Sequence, residues 1–191
     1  SSQQEAQEYA HSIHQTQEFA AVNYTFDNPD AVNALLGEIS SSNLTSTVNA
    51  LSNYNNRYYT SGTAVDAANW IKDEWQSIAS TRNDIDVQVY NHSNWSQPSV
   101  IATITGTTNP DEIVIVGGHL DSINSSNTSG RAPGADDNAS GIAIATESLR
   151  AIVETDFKPE RTIKLIGYAA EEVGLRGSNE IATEHKNNNA N

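Results

Sequence analysis

The 191-residue sequence lacks cysteine altogether and has only ten lysine and arginine residues. The absence of cysteine excludes disulfide bonds, thiolate zinc ligands and cysteine nucleophiles. Against the ten basic residues stand 24 acidic ones, which gives a net charge of −14. With so little positive charge and no basic run, we expect neither nucleic acid nor an anionic membrane surface as a partner. No apolar run approaches the roughly 20 residues that a membrane-spanning helix requires.

What is present suffices for one folded domain. Hydrophobic residues make up 37% of the 191 residues, enough for a sizeable core. Residue patterns predict helices over 31–38, 44–51, 63–78, 139–153 and 175–185, and strands over 86–90, 99–105, 113–116 and 162–168. The order β-β-β-α-β-α in the later part predicts an α/β fold, with a mixed β-sheet flanked by helices.

Some local patterns carry more specific predictions. Thr63 followed by Asp66 resembles a capping box at the start of the third helix. Trp70 and Trp75 lie near the apolar face of that helix, and we interpret both as core residues rather than as a ligand-stacking pair. The continuous apolar run 113–116 is typical of a strand that is buried on both faces.

The first 28 residues differ from the rest, because they are rich in Gln, Ala, Glu and His and begin without methionine. We interpret residues 1–28 as a leader or the remnant of a pro-segment, and residues 29–191 as the folded domain. A helix over residues 4–21 has only a thin apolar face. His11 and His14 lie three residues apart on it, and we interpret them as a surface pair rather than as a site.

Three polar clusters lie beside the predicted strands, where α/β sheets place their sites. The cluster 119–121 (His-Leu-Asp) follows the third strand, 136–138 (Asp-Asp-Asn) ends a polar loop, and 171–172 (Glu-Glu) follows the fourth strand. Each has an ordinary interpretation alone: a structural His–Asp pair, an N-terminal helix cap and two solvated glutamates. Their joint occurrence favours a metal site, because His, Asp and Glu are the ligands of zinc hydrolases.

The spacing within the clusters suggests roles. On a strand, residues i and i+2 point to one face, so Asp121 can approach the ring nitrogen of His119 that binds no metal. A carboxylate of the 136–138 cluster can bridge two metal ions. Adjacent like charges such as Glu171 and Glu172 are costly unless each has a cation or a separate task. One can bind metal while its neighbour acts as general base.

Three segments together closely resemble a known family. They are Gly-Gly-His119-Leu-Asp121-Ser, Ala-Pro-Gly-Ala-Asp-Asp137-Asn-Ala-Ser-Gly and Ala-Ala-Glu171-Glu172-Val-Gly-Leu-Arg-Gly-Ser. The family is the secreted bacterial leucyl aminopeptidases, which are co-catalytic dizinc exopeptidases. The resemblance implies the zinc-exopeptidase, phosphorylase/hydrolase-like fold, two zinc ions in the complete site and an extracellular location. It also implies peptide substrates with an apolar first residue, and we expect a monomer.

The resemblance also assigns roles to individual residues. His119 would bind one zinc, Asp137 would bridge both, and Glu172 would bind the other. Glu171 would be the general base that takes a proton from the attacking water. Asp121 would be the partner of His119 behind the metal. The neighbouring Asp136 would not be a ligand, and the peptide bond after Asp137 would be cis.

The family pattern includes further ligands that this chain does not supply. An aspartate would fall beyond Asn191, and His185, the only histidine after His119, comes too early and lies on a predicted surface helix. We therefore expect residues 29–191 to be the N-terminal part of a zinc aminopeptidase catalytic domain, incomplete at the C-terminus, with weak zinc binding and little activity by itself. Alternatives are a related dizinc carboxypeptidase or glutaminyl-cyclase-like enzyme, a non-catalytic peptide-binding module, and a structural domain whose acidic cluster is incidental.

Overall fold

The computed structural model describes residues 28–188 and residue 190. The predicted helix over 4–21 and the pair His11 and His14 therefore lie outside the described residues, as does most of the predicted leader. No helix within 28–188 is long and apolar enough to cross a membrane.

Within residues 28–188, five α-helices and four β-strands follow one another in the predicted order. The helices are α1 (Pro29–Gly37), α2 (Ser41–Ser52), α3 (Gly62–Ala79), α4 (Ser140–Glu154) and α5 (Arg176–Asn187). The strands are β1 (Ile85–Tyr90), β2 (Ser99–Ile104), β3 (Asn109–His119) and β4 (Arg161–Tyr168). A short π-helical turn, Ala135–Ala139, leads into α4.

The strands form one mixed sheet, as predicted, and their order in it is β1-β2-β4-β3. Strand β2 runs antiparallel to both of its neighbours, and β3 runs parallel to β4. In the register of the parallel pair, His119 lies opposite Tyr168. The carboxyl ends of β3 and β4 therefore lie side by side, which brings the His-Leu-Asp and Glu-Glu clusters to the same edge of the sheet.

The core lies between the sheet and helices α3 and α4. Alternate β2 residues, Val100, Ala102 and Ile104, point into it, while Ile101 and Thr103 line a groove beneath α5 on the opposite face. This alternation is what a strand with helices on both faces requires.

The two tryptophans of α3 both pack as predicted, though not equally. Trp75 is fully buried, and its indole Nε1 donates a hydrogen bond to Thr146 Oγ1 at 2.8 Å. Trp70 packs against the edge of the core and is only partly buried. The two side chains are therefore core residues.

Two local predictions are wrong. Helix α3 begins earlier than expected, and its cap is Ser61, whose side chain accepts from the Ala64 N–H, so Thr63 is not the first residue of a capping box. Strand β3 lies at the edge of the sheet and exposes Val114, Ile115 and Val116, so this run is not buried on both faces. A continuous apolar run does not by itself reveal whether a strand has one neighbour or two.

Candidate metal centre

Three of the predicted ligands lie together at the carboxyl edge of the sheet. One donor atom from each of His119, Asp137 and Glu172 lies within 4.8 Å of the other two. They come from the end of β3, from the turn before α4 and from the loop after β4. One imidazole nitrogen and two carboxylate oxygens form a donor set that suits zinc.

The imidazole of His119 has a defined orientation. Its Nδ1 lies 3.1 Å from the backbone oxygen of Asp121 and 3.5 Å from Oδ1 of the same residue. A carbonyl oxygen can only accept, so Nδ1 carries the proton in this contact. Nε2 therefore faces the cluster, 2.8 Å from Asp137 Oδ1 and 3.6 Å from Glu171 Oε2.

The acidic surroundings change the protonation of this histidine. Burial lowers the pKa of His119, but the hydrogen bond and the charge of Asp121, together with Glu171 and Asp137, outweigh burial and raise the pKa to about 9. Burial and the nearby negative charges of Asp137, Asp121 and Glu171 raise the pKa of Glu172, although His119 opposes them. The cluster thus holds more negative charge than its own cations balance, which favours binding of a cation.

Asp137 stands on a kinked turn and is the most accessible member of the cluster. Its side chain is 75% exposed, and its φ of −114° and ψ of 92° are not helical. The Asp137–Asn138 peptide bond is cis, as the resemblance implies. Asn138 Oδ1 accepts from the His119 N–H at 3.2 Å, and a Cβ at Gly118 or Gly141 would collide with this oxygen. Glycine at both positions therefore leaves room for the Asn138 side chain that joins the turn to β3.

Asp121 lies beside the His119 imidazole, but the strand spacing that predicted this contact does not produce it. Strand β3 ends at His119, so Asp121 is not on the strand. Its fully buried carboxylate accepts from two consecutive amides, the Glu171 N–H at 2.9 Å and the Glu172 N–H at 3.0 Å. Asp121 therefore orients the His119 imidazole through its backbone, and its side chain holds the loop that carries Glu171 and Glu172.

The other acidic and histidine candidates lie apart from the cluster. Asp136 is exposed and is not part of the three-residue group. His185 lies on α5, where Nδ1 is 2.8 Å from the Ile181 carbonyl oxygen and Nε2 is 2.9 Å from Lys164 Nζ. It faces the groove beneath α5 and contributes nothing to the candidate metal centre.

Comparison with known proteins identifies the family. The model of peptidase family M28 matches residues 99–191, which include every member of the cluster. Residues 99–191 belong to peptidase family M28. A probable leucine aminopeptidase 1 of Trichophyton verrucosum is 38% identical over 180 residues, which cover 90% of this chain and 48% of that relative. Leucine aminopeptidase 1 of Arthroderma gypseum is 40% identical over 166 residues, 82% of this chain and 44% of the relative.

Solved structures agree with the M28 assignment. LapB from Legionella pneumophila superposes with a TM-score of 0.80 at 31% identity, over 88% of this chain and 45% of LapB. The LapA aminopeptidase of the same organism gives a TM-score of 0.78 at 30% identity, over 94% of this chain and 47% of LapA. The chain thus spans about half the length of the relatives that it matches.

One residue of the site that the sequence analysis missed is Arg57. Its guanidinium is fully buried and donates to four backbone carbonyl oxygens: Nε to Leu120 at 2.7 Å, Nη1 to Leu51 at 3.0 Å and Pro133 at 2.6 Å, and Nη2 to Gly134 at 3.0 Å. These carbonyls belong to the end of α2, the residue after His119 and the loop before Asp137.

The Arg57 contacts explain how separate elements converge on the cluster. Burial lowers the pKa of Arg57 to about 10, while the charges of Asp121 and Glu172 oppose that shift. Arginine suits this position because its planar fork supplies five donors in fixed directions. The only signal in the sequence is an arginine in a polar, aromatic segment, and such a segment is ordinarily a surface connection.

Proposed function

We propose that this chain carries the N-terminal part of a zinc-dependent aminopeptidase active site. The observation that supports the proposal is the convergence of His119, Asp137 and Glu172, with Glu171 beside them and not required as a ligand. The names of the relatives agree with it, since those proteins are leucine aminopeptidases. Secretion and the leader at residues 1–28 stay predictions.

The donor set fits zinc by its chemistry. His119 presents Nε2 because its Nδ1 is engaged with Asp121, which is how zinc-binding histidines are ordinarily oriented. Asp137 and Glu172 supply carboxylate oxygens, and we propose that Asp137 bridges two zinc ions, as the resemblance implies. Bound zinc would acidify water and polarise the carbonyl of the scissile peptide bond.

We assign Glu171 as the general base. Its side chain is about one-third exposed and reaches the cluster from the loop after β4, with Oε2 at 3.6 Å from His119 Nε2. A carboxylate in this position accepts a proton from the attacking water and can return it to the leaving amine. Asp121 keeps Glu171 in place through the hydrogen bond from the Glu171 N–H. A peptide-binding module without catalysis would have no use for this free carboxylate.

The test combines zinc binding with hydrolysis of leucine 4-nitroanilide. Zinc binding is the primary measurement, because it tests the three ligands of this chain directly, whereas hydrolysis requires the whole active site. We expect calorimetric zinc binding that is lost in His119→Ala and retained in Glu171→Gln. Where hydrolysis is measurable, Glu171→Gln should lower it by about 100-fold or more, the usual contribution of a general base. Zinc binding that His119→Ala leaves unchanged would contradict the proposal.

A further inference from the structure

The beginning of β2 and the residues just before it contribute two hydrogen-bond acceptors to the loop after β4. The Ala169 N–H donates to Ser99 Oγ at 2.9 Å, and the Ala170 N–H donates to Gln97 Oε1 at 3.3 Å. Both acceptor side chains are fully buried. The next two amides, in the pair 171–172, donate to the carboxylate of Asp121. Four consecutive amides of this loop therefore donate hydrogen bonds to buried side chains from two other parts of the chain.

This loop needs such support because its backbone is not relaxed. Ala170 has a φ of 55°, a left-handed conformation that L residues adopt only at an energetic cost. The Ala169 carbonyl accepts from the Gly177 N–H at 3.1 Å, and a Cβ at Gly177 would collide with it. The residues just before the two glutamates are thus held from both sides.

Ser99 belongs to a chain of hydrogen bonds that is buried at Ser99 and His92 and partly exposed at Glu180. Its Oγ lies 2.8 Å from His92 Nε2, and His92 Nδ1 lies 2.9 Å from Glu180 Oε2. In the neutral imidazole, the Ser99 hydroxyl donates to Nε2 and the Nδ1–H donates to Glu180. His92 also stacks on Trp95, with ring centroids 4.5 Å apart. Glu180 lies on α5, so the chain joins the beginning of the loop to the helix that follows it.

From these contacts we infer that Ser99 and Gln97 are positioning residues for the Glu171–Glu172 pair, with the His92–Glu180 pair fixing the Ser99 hydroxyl. The inference rests on the proposed function, because it concerns how those two glutamates are held toward a metal. Neither residue touches the ligand atoms. Both act through the backbone of residues 169–170, where a lost acceptor lets the loop relax and moves Glu172 away from His119 and Asp137.

The test is cobalt binding, followed by the visible absorption of Co²⁺ added to the metal-free 191-residue chain. The variants are Ser99→Ala and Gln97→Met, each of which removes one acceptor. The matched control is Thr146→Val, which removes a fully buried hydroxyl on α4 that accepts from Trp75 Nε1 and makes no hydrogen bond to the residues of the loop. All are measured at a temperature at which circular dichroism shows each protein to be folded. If one loop variant does not fold, the other is sufficient.

We expect the dissociation constant for Co²⁺ to rise about tenfold in each loop variant, as for other residues that orient metal ligands indirectly. The Thr146→Val control should change it less than twofold, even though its melting temperature falls. Loop variants that bind Co²⁺ as tightly as the control would overturn the inference and leave the proposed function standing. Equal binding by the wild type and His119→Ala would instead overturn the proposed function, and with it this inference.

Discussion

The two ends of the β-sheet differ in whether their carboxylates are paired with cations. At the amino end of β1 and β4, Arg82 forms two 2.7 Å hydrogen bonds to the carboxylate of Asp84, and Lys158 bridges Asp84 and Asp156 at 3.3 and 3.2 Å. Asp84 and Asp156 therefore each have a cation at this end. At the carboxyl end, a group of four carboxylates faces one imidazole; its members are Asp121, Asp137, Glu171 and Glu172.

The buried guanidinium of Arg57 forms no hydrogen bonds with these four carboxylates. The N–H groups of Arg57 donate to backbone carbonyl oxygens rather than to the carboxylates. The pKa shifts follow the difference, because the Arg82 hydrogen bond lowers the pKa of Asp84, whereas burial and neighbouring charge raise that of Glu172. The two acidic clusters therefore differ in kind. The cluster at the amino end is a structural ion-pair network, whereas the cluster at the carboxyl end has an excess of negative charge that a metal ion would neutralise.

The largest effect should come from removing the buried cation. Arg57→Met leaves four backbone carbonyls without their donors, so we expect the free energy of unfolding to fall by about 3–5 kcal/mol, with zinc binding lost. Urea denaturation measures this. The control is Arg131→Met, because Arg131 is exposed and its Nη2 lies 3.5 Å from the Ser52 carbonyl oxygen, at the limit of hydrogen-bond distance. If Arg57→Met lowers the free energy of unfolding by less than about 1 kcal/mol, Arg57 does not hold these segments together.

The next largest effect should come from Asp121, whose carboxylate connects the end of β3 to the loop that carries Glu171 and Glu172. Asp121→Asn replaces one acceptor of the Glu171 and Glu172 amides by a donor, so we expect a stability loss of about 2 kcal/mol. Zinc affinity should fall by about 10- to 100-fold, as for other carboxylates that support a metal-binding histidine. Denaturation and calorimetry on the same samples separate the two quantities. A drop in stability without loss of affinity would assign Asp121 to the fold alone.

The sequence predicted the candidate metal ligands, but it did not predict the residues that hold those ligands in place. His119, Asp137 and Glu172 are polar residues in distinctive local patterns, and the sequence analysis placed all three at one edge of the sheet, where the structure has them. The mixed sheet also followed from the order of its elements.

The supports of the site could not be predicted, because their meaning depends on contacts between distant segments. Arg57 and Leu120 are 63 residues apart in the chain, and Ser99 and Ala169 are 70 apart. A buried Arg or Ser looks like an exposed one when only its neighbours in sequence are known. The edge position of β3 was missed for the same reason, since strand order is a property of the whole sheet.

Neutralising one carboxylate at each end of the sheet should change stability in opposite directions. In the metal-free protein, Glu172→Gln removes a charge that the fold disfavours, so we expect a gain of about 0.5 kcal/mol after allowance for its partial exposure. Asp84→Asn removes a charge that Arg82 and Lys158 favour, so we expect a loss of about 1 kcal/mol. Chemical denaturation in the presence of a chelator measures both. Changes of the same sign would refute the comparison.

The ion pair of Asp84 with Arg82 should also make stability depend on pH, by no more than the Asp84→Asn loss. Because the Arg82 hydrogen bond lowers the pKa of Asp84 in the folded state, its contribution is present above the ordinary pKa of about 3.9 and is lost as the pH falls toward the folded value. We therefore expect wild type to lose about 1 kcal/mol more than Asp84→Asn as the pH falls below 4, with a discount for exposure. Parallel stability curves for the two proteins would exclude this contribution.

The most direct test of the account measures the unfolding free energy of wild type and of the double variant Asp137→Asn/Glu172→Gln, with and without zinc. We predict that the variant is the more stable protein without metal, because it lacks the surplus charge. At a zinc concentration 100 times the dissociation constant of wild type, that protein should gain about 2.7 kcal/mol and become the more stable one. A variant that is less stable without metal, or an equal gain from zinc in both proteins, would contradict the claim that the carboxyl end of the sheet is built for a cation.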